Sequence, residues 1–402
     1  MSDMDLNKLA ELKAKKAEKD MSAKIVAKKE RSLRFGVLGS GQAGGKLAQA
    51  MYNLGYTACA INTAMQDLKS VEIPDANKLF LQYGVGGASK DLSIGKLAAE
   101  EYREQILELV NDRLSESQVN ILCLSLGGGS GAGSCEVLVD ILNEVGKPLV
   151  VIAALPMDTE DAKSKSNALE TLSNLAKLAQ AKQVANIILV DNAKLESIYS
   201  DVSQMNFFEV ANKAIVNPID VFNTYSMMSS STKPLDSSEF SRILLDGEGL
   251  SVYGELSVRN YQDETAIAEA IVNNLDSNLL SANFDLKQAK YVGVIISAPK
   301  RVWEDIPASS INYAMAMVQD TCGTPLAIYK GVYSVESDED EVKVYSFYSG
   351  LGLPDARVEQ LKEDVRTHLK TVKEQVLKRN LLLNLDTGTN DTVSAAQKIK
   401  DK

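Results

Sequence analysis

Gly127, Gly128, Gly129, Ser130, Gly131, Ala132 and Gly133 follow one another after the apolar run NILCLSL (120–126), and an amphipathic stretch comes next. At the start of a helix such residues leave backbone N–H groups uncovered. The helix end adds partial positive charge, so the run forms a nest of donors for an anion. Three glycines and a hydroxyl can surround a di- or triphosphate. A second run, GSGQAGGK at 39–46, also separates a strand-like segment from a helical one. Its Gly39, Gly41 and Gly44 keep the spacing of a dinucleotide loop, yet the next strand ends at Asn62, where an Asp or Glu would hold a ribose. A P-loop fits no better. Ser40 occupies the first glycine position, and Leu47 follows Lys46 where Ser or Thr would ligate magnesium. What remains is a nucleotide held by amides, in the crevice at the carboxyl ends of parallel strands.

The elements that must position these loops alternate along the chain. Short apolar runs at 33–39, 57–62, 78–82, 120–126, 148–155 and 186–191 read as strands of a mostly parallel sheet, with helices near 43–54, 93–114, 132–145 and 160–181 between them. A long helix near 206–228 follows, and Pro218 should kink it. Runs at 250–260, 289–298, 325–334 and 341–349 then read as a smaller sheet, with helices near 264–280 and 307–320. The expected organisation is α/β: a charged helical extension (1–32), a parallel-sheet nucleotide domain (33–205), a central helix (206–230), a smaller α/β domain with a four-stranded sheet (231–352), a C-terminal helix (353–381) and a disordered tail (382–402).

Composition narrows the chemistry further. With a single histidine, His368, among 402 residues, histidine triads and multi-histidine metal sites are excluded, so no protein-held metal centre is expected. Cys59, Cys123, Cys135 and Cys322 show no CxxC spacing and read as free thiols of a reducing compartment. A formal charge of −11 argues against a body that binds nucleic acid directly. No apolar run reaches the roughly 20 residues of a membrane span, and the start of the chain lacks a secretory h-region, so a cytoplasmic protein is expected. The extension to residue 34 carries ten Lys or Arg against six Asp or Glu and reads as a solvated helix or a contact arm for a neighbouring subunit.

Several motifs, in order, resemble the tubulin and FtsZ superfamily of polymerising GTPases. GGGSGAG at 127–133 is similar to that family's GGGTG[ST]G, with Ser130 keeping the hydroxyl. GQAG at 41–44 is similar to tubulin's first nucleotide loop, and INTAMQDL at 61–68 to the INTDAQAL of FtsZ. The resemblance covers roughly residues 33–250 and, more faintly, the rest. It implies GTP or GDP with Mg2+ as ligands. Gly41, Gln42, Ala43, Gly44, Asn62, Gly87 and the 127–133 run would then contact the nucleotide, with Gln42 beside the phosphates and the metal. GVGGASKD (84–91) resembles the loop that senses the γ-phosphate. PMDTE (156–160) is similar to PFNFE, so Glu160 inherits a ribose contact, and DNAKL (191–195) resembles PNDKL, placing Asn192 near base or sugar. FFEVANKAI (207–215) matches the start of the family's central helix, with Phe208 among the nucleotide contacts and Asn212 at the guanine edge, where an amide suits N1, N2 and O6. An ordinary cap or surface amide stays open for Asn192 and Asn212. Ala64 departs from the FtsZ acid.

Nothing in these loops can activate water, and the resemblance supplies the missing group from a neighbour. DSSEF at 236–240 is similar to DLTEF of α-tubulin and DFADV of FtsZ, so Asp236 and Glu239 of one subunit would orient the attacking water in the next. The same two residues at that spacing also make a helix capping box, and both readings stand. Head-to-tail stacking would then build a homopolymer. A short tail in place of a long linker points to the plasmid and phage branch, TubZ and PhuZ, whose C-terminal helix and tail contact a filament neighbour or a DNA adaptor. That branch implies positioning or segregation of DNA. The alternatives are an FtsZ-type division protein and, more remotely, a dinucleotide-binding oxidoreductase.

Overall fold

Among the described residues ten segments are extended, and each overlaps one of the ten apolar runs. The computed structural model describes residues 30–84, 86–230, 233–273 and 284–383, with backbone alone for 272–273 and 377–383. The charged extension before residue 30, the tail beyond 383 and the end of the helix expected at 264–280 lie outside the described residues. The strands are β1 (Phe35–Ser40), β2 (Thr57–Asn62), β3 (Lys78–Phe80), β4 (Val119–Ser125), β5 (Leu149–Leu155), β6 (Asn186–Asp191), β7 (Leu250–Val258), β8 (Tyr291–Ala298), β9 (Ala327–Ser334) and β10 (Val342–Leu351).

They form one sheet in the order β3-β2-β1-β4-β5-β6-β7-β10-β8-β9. The first six are parallel, in the 3-2-1-4-5-6 order of doubly wound folds, so the switch point falls between β1 and β4. Both glycine loops leave from that point. The four later strands are adjacent, as expected, but they continue the same sheet: β7 joins β6 in parallel through Ile187↔Leu250 and Ile188↔Ser251. β10 pairs antiparallel with β7 and with β8, and β8 pairs parallel with β9.

β4 and β5 are buried on both faces, which is why they read as unbroken apolar runs. Leu122, Leu124, Val151 and Ala153 pack into one core cluster, and their neighbours Ile121, Cys123, Val150 and Ile152 into the other. The second cluster is closed by the central helix Gln204–Tyr225, which buries Phe207, Ala211, Ile215, Ile219 and Phe222. This helix runs on through Pro218. The ring removes the donor that the Ala214 carbonyl would have taken, and the Tyr253 hydroxyl donates at 2.6 Å to the next carbonyl, Ile215. The single helix expected at 93–114 is two, Leu92–Glu101 and Arg103–Arg113, broken at Tyr102 (φ −97°, ψ 16°). All four cysteines are buried free thiols, and burial pushes Cys123 and Cys135 up to about 12.

Candidate nucleotide site and a distant acidic pair

The first glycine loop closes β1 and opens the helix Gly41–Asn53; the second follows β4 and opens the helix Ser130–Glu144. They pack against each other. Gly41 has φ +74°, and a Cβ there would meet the Gly131 nitrogen at 3.0 Å; one on Gly131 would meet the Ser40 carbonyl oxygen at 2.7 Å. Neither helix is capped by a side chain: Ser40 and Gly129 make no such hydrogen bond. The amides of Gly41, Gln42, Ala43 and Gly44, and of Ser130, Gly131, Ala132 and Gly133, therefore begin two adjacent helices, where most N–H groups lack a helical partner. Among the glycines, Gly44, Gly129 and Gly133 serve packing against neighbouring backbone, whereas a Cβ on Gly128 would meet nothing within 4 Å. That open space at the mouth of the nest fits a phosphate ligand. Gln42 is exposed beside it.

Hydroxyls line the same place. Thr63 Oγ1 lies 2.5 Å from Ser130 Oγ, and Ser40 Oγ lies 2.9 Å from Ser134 Oγ. Asn62 is buried, and its Oδ1 accepts from the Ala64 amide at 2.9 Å; it shapes the turn after β2 and presents no ribose-binding acid. Loop 84–91 comes next. The Gly87 amide donates to the Thr63 carbonyl at 2.9 Å, and Ser89 and Lys90 both sit at positive φ (45° and 60°), a strained backbone held by its surroundings. Asn167 does much of the holding: Nδ2 donates to the Lys90 carbonyl at 2.8 Å and to the Gly127 carbonyl at 3.3 Å, joining this loop to the second glycine run. Lys90 Nζ also donates to Asp161 Oδ2 at 2.5 Å, and that bond, with the Ser164 amide, holds the Asp161 carboxyl below the usual range.

Glu160 and Asn192 occupy the carboxyl ends of the adjacent strands β5 and β6. Glu160 Oε1 accepts from the Met157 amide at 3.1 Å, and Asn192 opens the helix Asn192–Ile198, capped by Asp191. The central helix starts six residues after that helix ends. Phe208, 57% exposed, and Asn212, half-buried, share its first face. Thr63, Asn167 and Arg357, whose guanidinium lies between Asp158 and Asp191, were not apparent from the sequence. An acid such as Asp191 ending a buried apolar strand, NIILVD, is the one signal that calls for a buried cation.

Residues 34–200 match the family model described as "Tubulin/FtsZ family, GTPase domain". That stretch is similar to a tubulin/FtsZ GTPase domain. Relatives extend the likeness beyond it. The tubulin-like protein TubZ of Bacillus cereus is 26% identical, over 92% of this chain and 91% of its own length. The tubulin-like protein CetZ of Pyrococcus abyssi is 26% identical, over 88% and 96%. The fold is that of a solved GTPγS-form protofilament of TubZ from Bacillus thuringiensis serovar israelensis, with TM-score 0.77 at 21% identity, over 86% of this chain and 95% of that one. The two glycine loops, loop 84–91, Glu160 and Asn192 all fall inside the matched stretch. Among the described residues no group of three or more His, Cys, Asp or Glu is placed to hold a metal, and no helix is long and apolar enough to cross a membrane.

Asp236 and Glu239 lie outside the matched stretch, and the fold does not bring them to its glycine loops. They begin the helix Ser237–Leu245, which follows the C-terminal end of the central helix; Ser237 Oγ donates to the Ser226 carbonyl at 3.4 Å. That end is fixed at the amino end of β1, where Asn223 bonds Leu33, while the glycine loops sit at the carboxyl ends. With 22 residues at 1.5 Å each, the central helix separates the two poles by about 33 Å. In this chain the two acids form a capping box: Asp236 Oδ1 accepts from the amides of Ser238 (2.8 Å) and Glu239 (2.9 Å), and Glu239 Oε2 accepts from the Asp236 amide at 3.0 Å. The Glu239 amide, then the Ser238 hydroxyl, holds the Asp236 carboxyl below its ordinary range. Oδ2 of Asp236 takes part in none of these bonds.

Proposed function

We propose that this chain binds GTP in the glycine-lined crevice, assembles head to tail, and hydrolyses GTP at the junction between subunits. The observation that carries the proposal is the separation of the acidic pair from the glycine loops by the length of the central helix. No movement of loops within one chain closes such a gap, whereas stacking two copies along the helix axis brings the acidic pole of one to the phosphate pole of the next. A contact between unlike surfaces does not close on itself, so it propagates into a filament.

Within the pocket the uncapped amides of 41–44 and 127–133 hold the phosphates, Gly87 and its loop face the γ-phosphate, Glu160 and Asn192 take the sugar, and Phe208 and Asn212 the guanine. Magnesium, when bound, offsets phosphate charge; the hydroxyls of Thr63 and Ser130 and the Gln42 amide are the neutral oxygens this chain offers it. Asp236 and Glu239 of the neighbouring copy orient a water for attack on the γ-phosphorus as the bond to the bridging oxygen breaks. Residues 33–205 thus act as the nucleotide unit and 231–352 as the unit that activates the next pocket. Similarity to TubZ over nearly the whole length favours filaments that position or segregate DNA, with the C-terminal helix and tail meeting a neighbour or an adaptor. GTP turnover measured against protein concentration, with light scattering in parallel, tests the reading. Both signals should rise above one shared critical concentration; a rate per chain that does not change with concentration contradicts it.

A further inference from the structure

Arg357, in the first turn of the C-terminal helix Asp355–Leu383, is 3% exposed, and its guanidinium is divided between two strand ends. Nη1 donates to Asp158 Oδ1 at 2.6 Å and Nη2 to the Pro156 carbonyl at 3.1 Å, both in the loop after β5. Nη2 also donates to Asp191 Oδ1 at 3.1 Å, at the end of β6, and Nε lies 2.8 Å from Asp191 Oδ2, off the line of a hydrogen bond. One turn on, Gln360 donates to the same Asp158 oxygen at 3.4 Å. Lys165 completes the set: Nζ donates to the Asp158 carbonyl and to Asp364 Oδ2, each at 2.7 Å.

Docking a surface helix does not require a buried cation. Val358 and Leu361, both buried, already give this helix an apolar contact, and taking a guanidinium out of water costs several kcal/mol unless its partners are well placed. Here the planar fork spans two segments that diverge from adjacent strands, a geometry that lysine cannot reproduce. One segment ends in Glu160. The other caps the helix of Asn192, since Asp191 Oδ1 accepts from the Ala193 amide at 3.1 Å.

We infer that Arg357 is a positioning residue for the nucleotide site, fixing loop 156–160 relative to the start of helix Asn192–Ile198, so that the C-terminal helix forms part of the pocket's support. The inference rests on the assignment of Glu160 and Asn192 to the nucleotide. It carries a consequence by linkage: whatever draws the helix away weakens nucleotide binding, and nucleotide binding seats the helix more firmly by the same factor.

The test uses the full chain below its assembly concentration, with a fluorescent GTP analogue and hydrogen exchange. Arg357→Lys should weaken analogue binding about tenfold and speed exchange of the Met157, Glu160 and Ala193 amides in nucleotide-free protein. Asp158→Asn, at a half-exposed side chain whose amide oxygen can still accept from Arg357, should act in the same direction by a smaller factor. Asp364→Asn removes a partly exposed charge from the same helix, leaves every contact of Arg357 in place, and should change affinity less than about twofold. Parental affinity in Arg357→Lys and Asp158→Asn, with faster exchange confined to the C-terminal helix, would overturn the inference. If the parental chain fails to bind the analogue, the nucleotide assignment falls instead. Exchange at Met157, Glu160 and Ala193 in nucleotide-free Arg357→Lys then still decides whether Arg357 holds the loops together.

Discussion

Asn223 pairs with the backbone of Leu33 in both directions: its Oδ1 accepts from the Leu33 amide and its Nδ2 donates to the Leu33 carbonyl, each at 2.8 Å. Nδ2 also donates to the Tyr56 hydroxyl at 3.0 Å, which in turn donates to Asp220 at 2.8 Å. This cluster fastens the far end of the central helix to the amino end of β1, and the helix bearing Asp236 and Glu239 follows from it. The separation of the acids from the glycine loops is therefore built into the fold.

Replacing Asn223 with Leu strands the Leu33 donor and acceptor in a half-buried place and should cost about 2 to 4 kcal/mol of stability. Denaturant titration reads that loss. Binding of GTP, at the opposite pole, should stay within about twofold of the parent at a temperature where both are folded.

The glycines divide into two kinds, and substitution separates them. A Cβ on Gly44 would lie 2.1 Å from the Cys123 carbonyl oxygen, so Gly44→Ala should destabilise the chain by about 3 kcal/mol or more. Gly128→Ala meets nothing within the chain. Its melting temperature should match the parent, while GTP affinity falls at least about tenfold because the methyl enters phosphate space. Calorimetry and a nucleotide titration on the two variants check both outcomes.

Acid should act on the cap of helix Ser237–Leu245. The folded Asp236 carboxyl lies below its unfolded value of about 3.9. Its contribution is then complete above that value and is lost as pH falls through the folded value. Asn caps helices about as well as Asp and does not titrate. The parent should therefore lose stability relative to Asp236→Asn on going from pH 6 to pH 3, as denaturation at each pH would show.

Much of this was legible in the sequence because it rests on local chemistry. The ten strands among the described residues announced themselves as apolar runs, and β4 and β5 did so most clearly because both their faces are covered. The two glycine runs marked the switch point between β1 and β4. What stayed hidden depends on contacts between distant residues. Asn167 reads as one polar residue on a helix, and only the fold shows it joining Lys90 to Gly127. Arg357 reads as part of a solvated charged helix, although it is buried against acids nearly two hundred residues earlier. The break at Tyr102 and the continuity of β6 with β7 likewise have no local signature.

The central claim, a hydrolytic site shared between two copies, is tested most directly by the conservative pair Asp236→Asn and Glu239→Gln, which keep hydrogen-bonding groups for the capping box but remove the charges. Phosphate release should be followed above the critical concentration, alongside GTP binding and light scattering. The account predicts normal binding and filaments, with release slowed about a hundredfold or more. Release at the parental rate in both variants would contradict it.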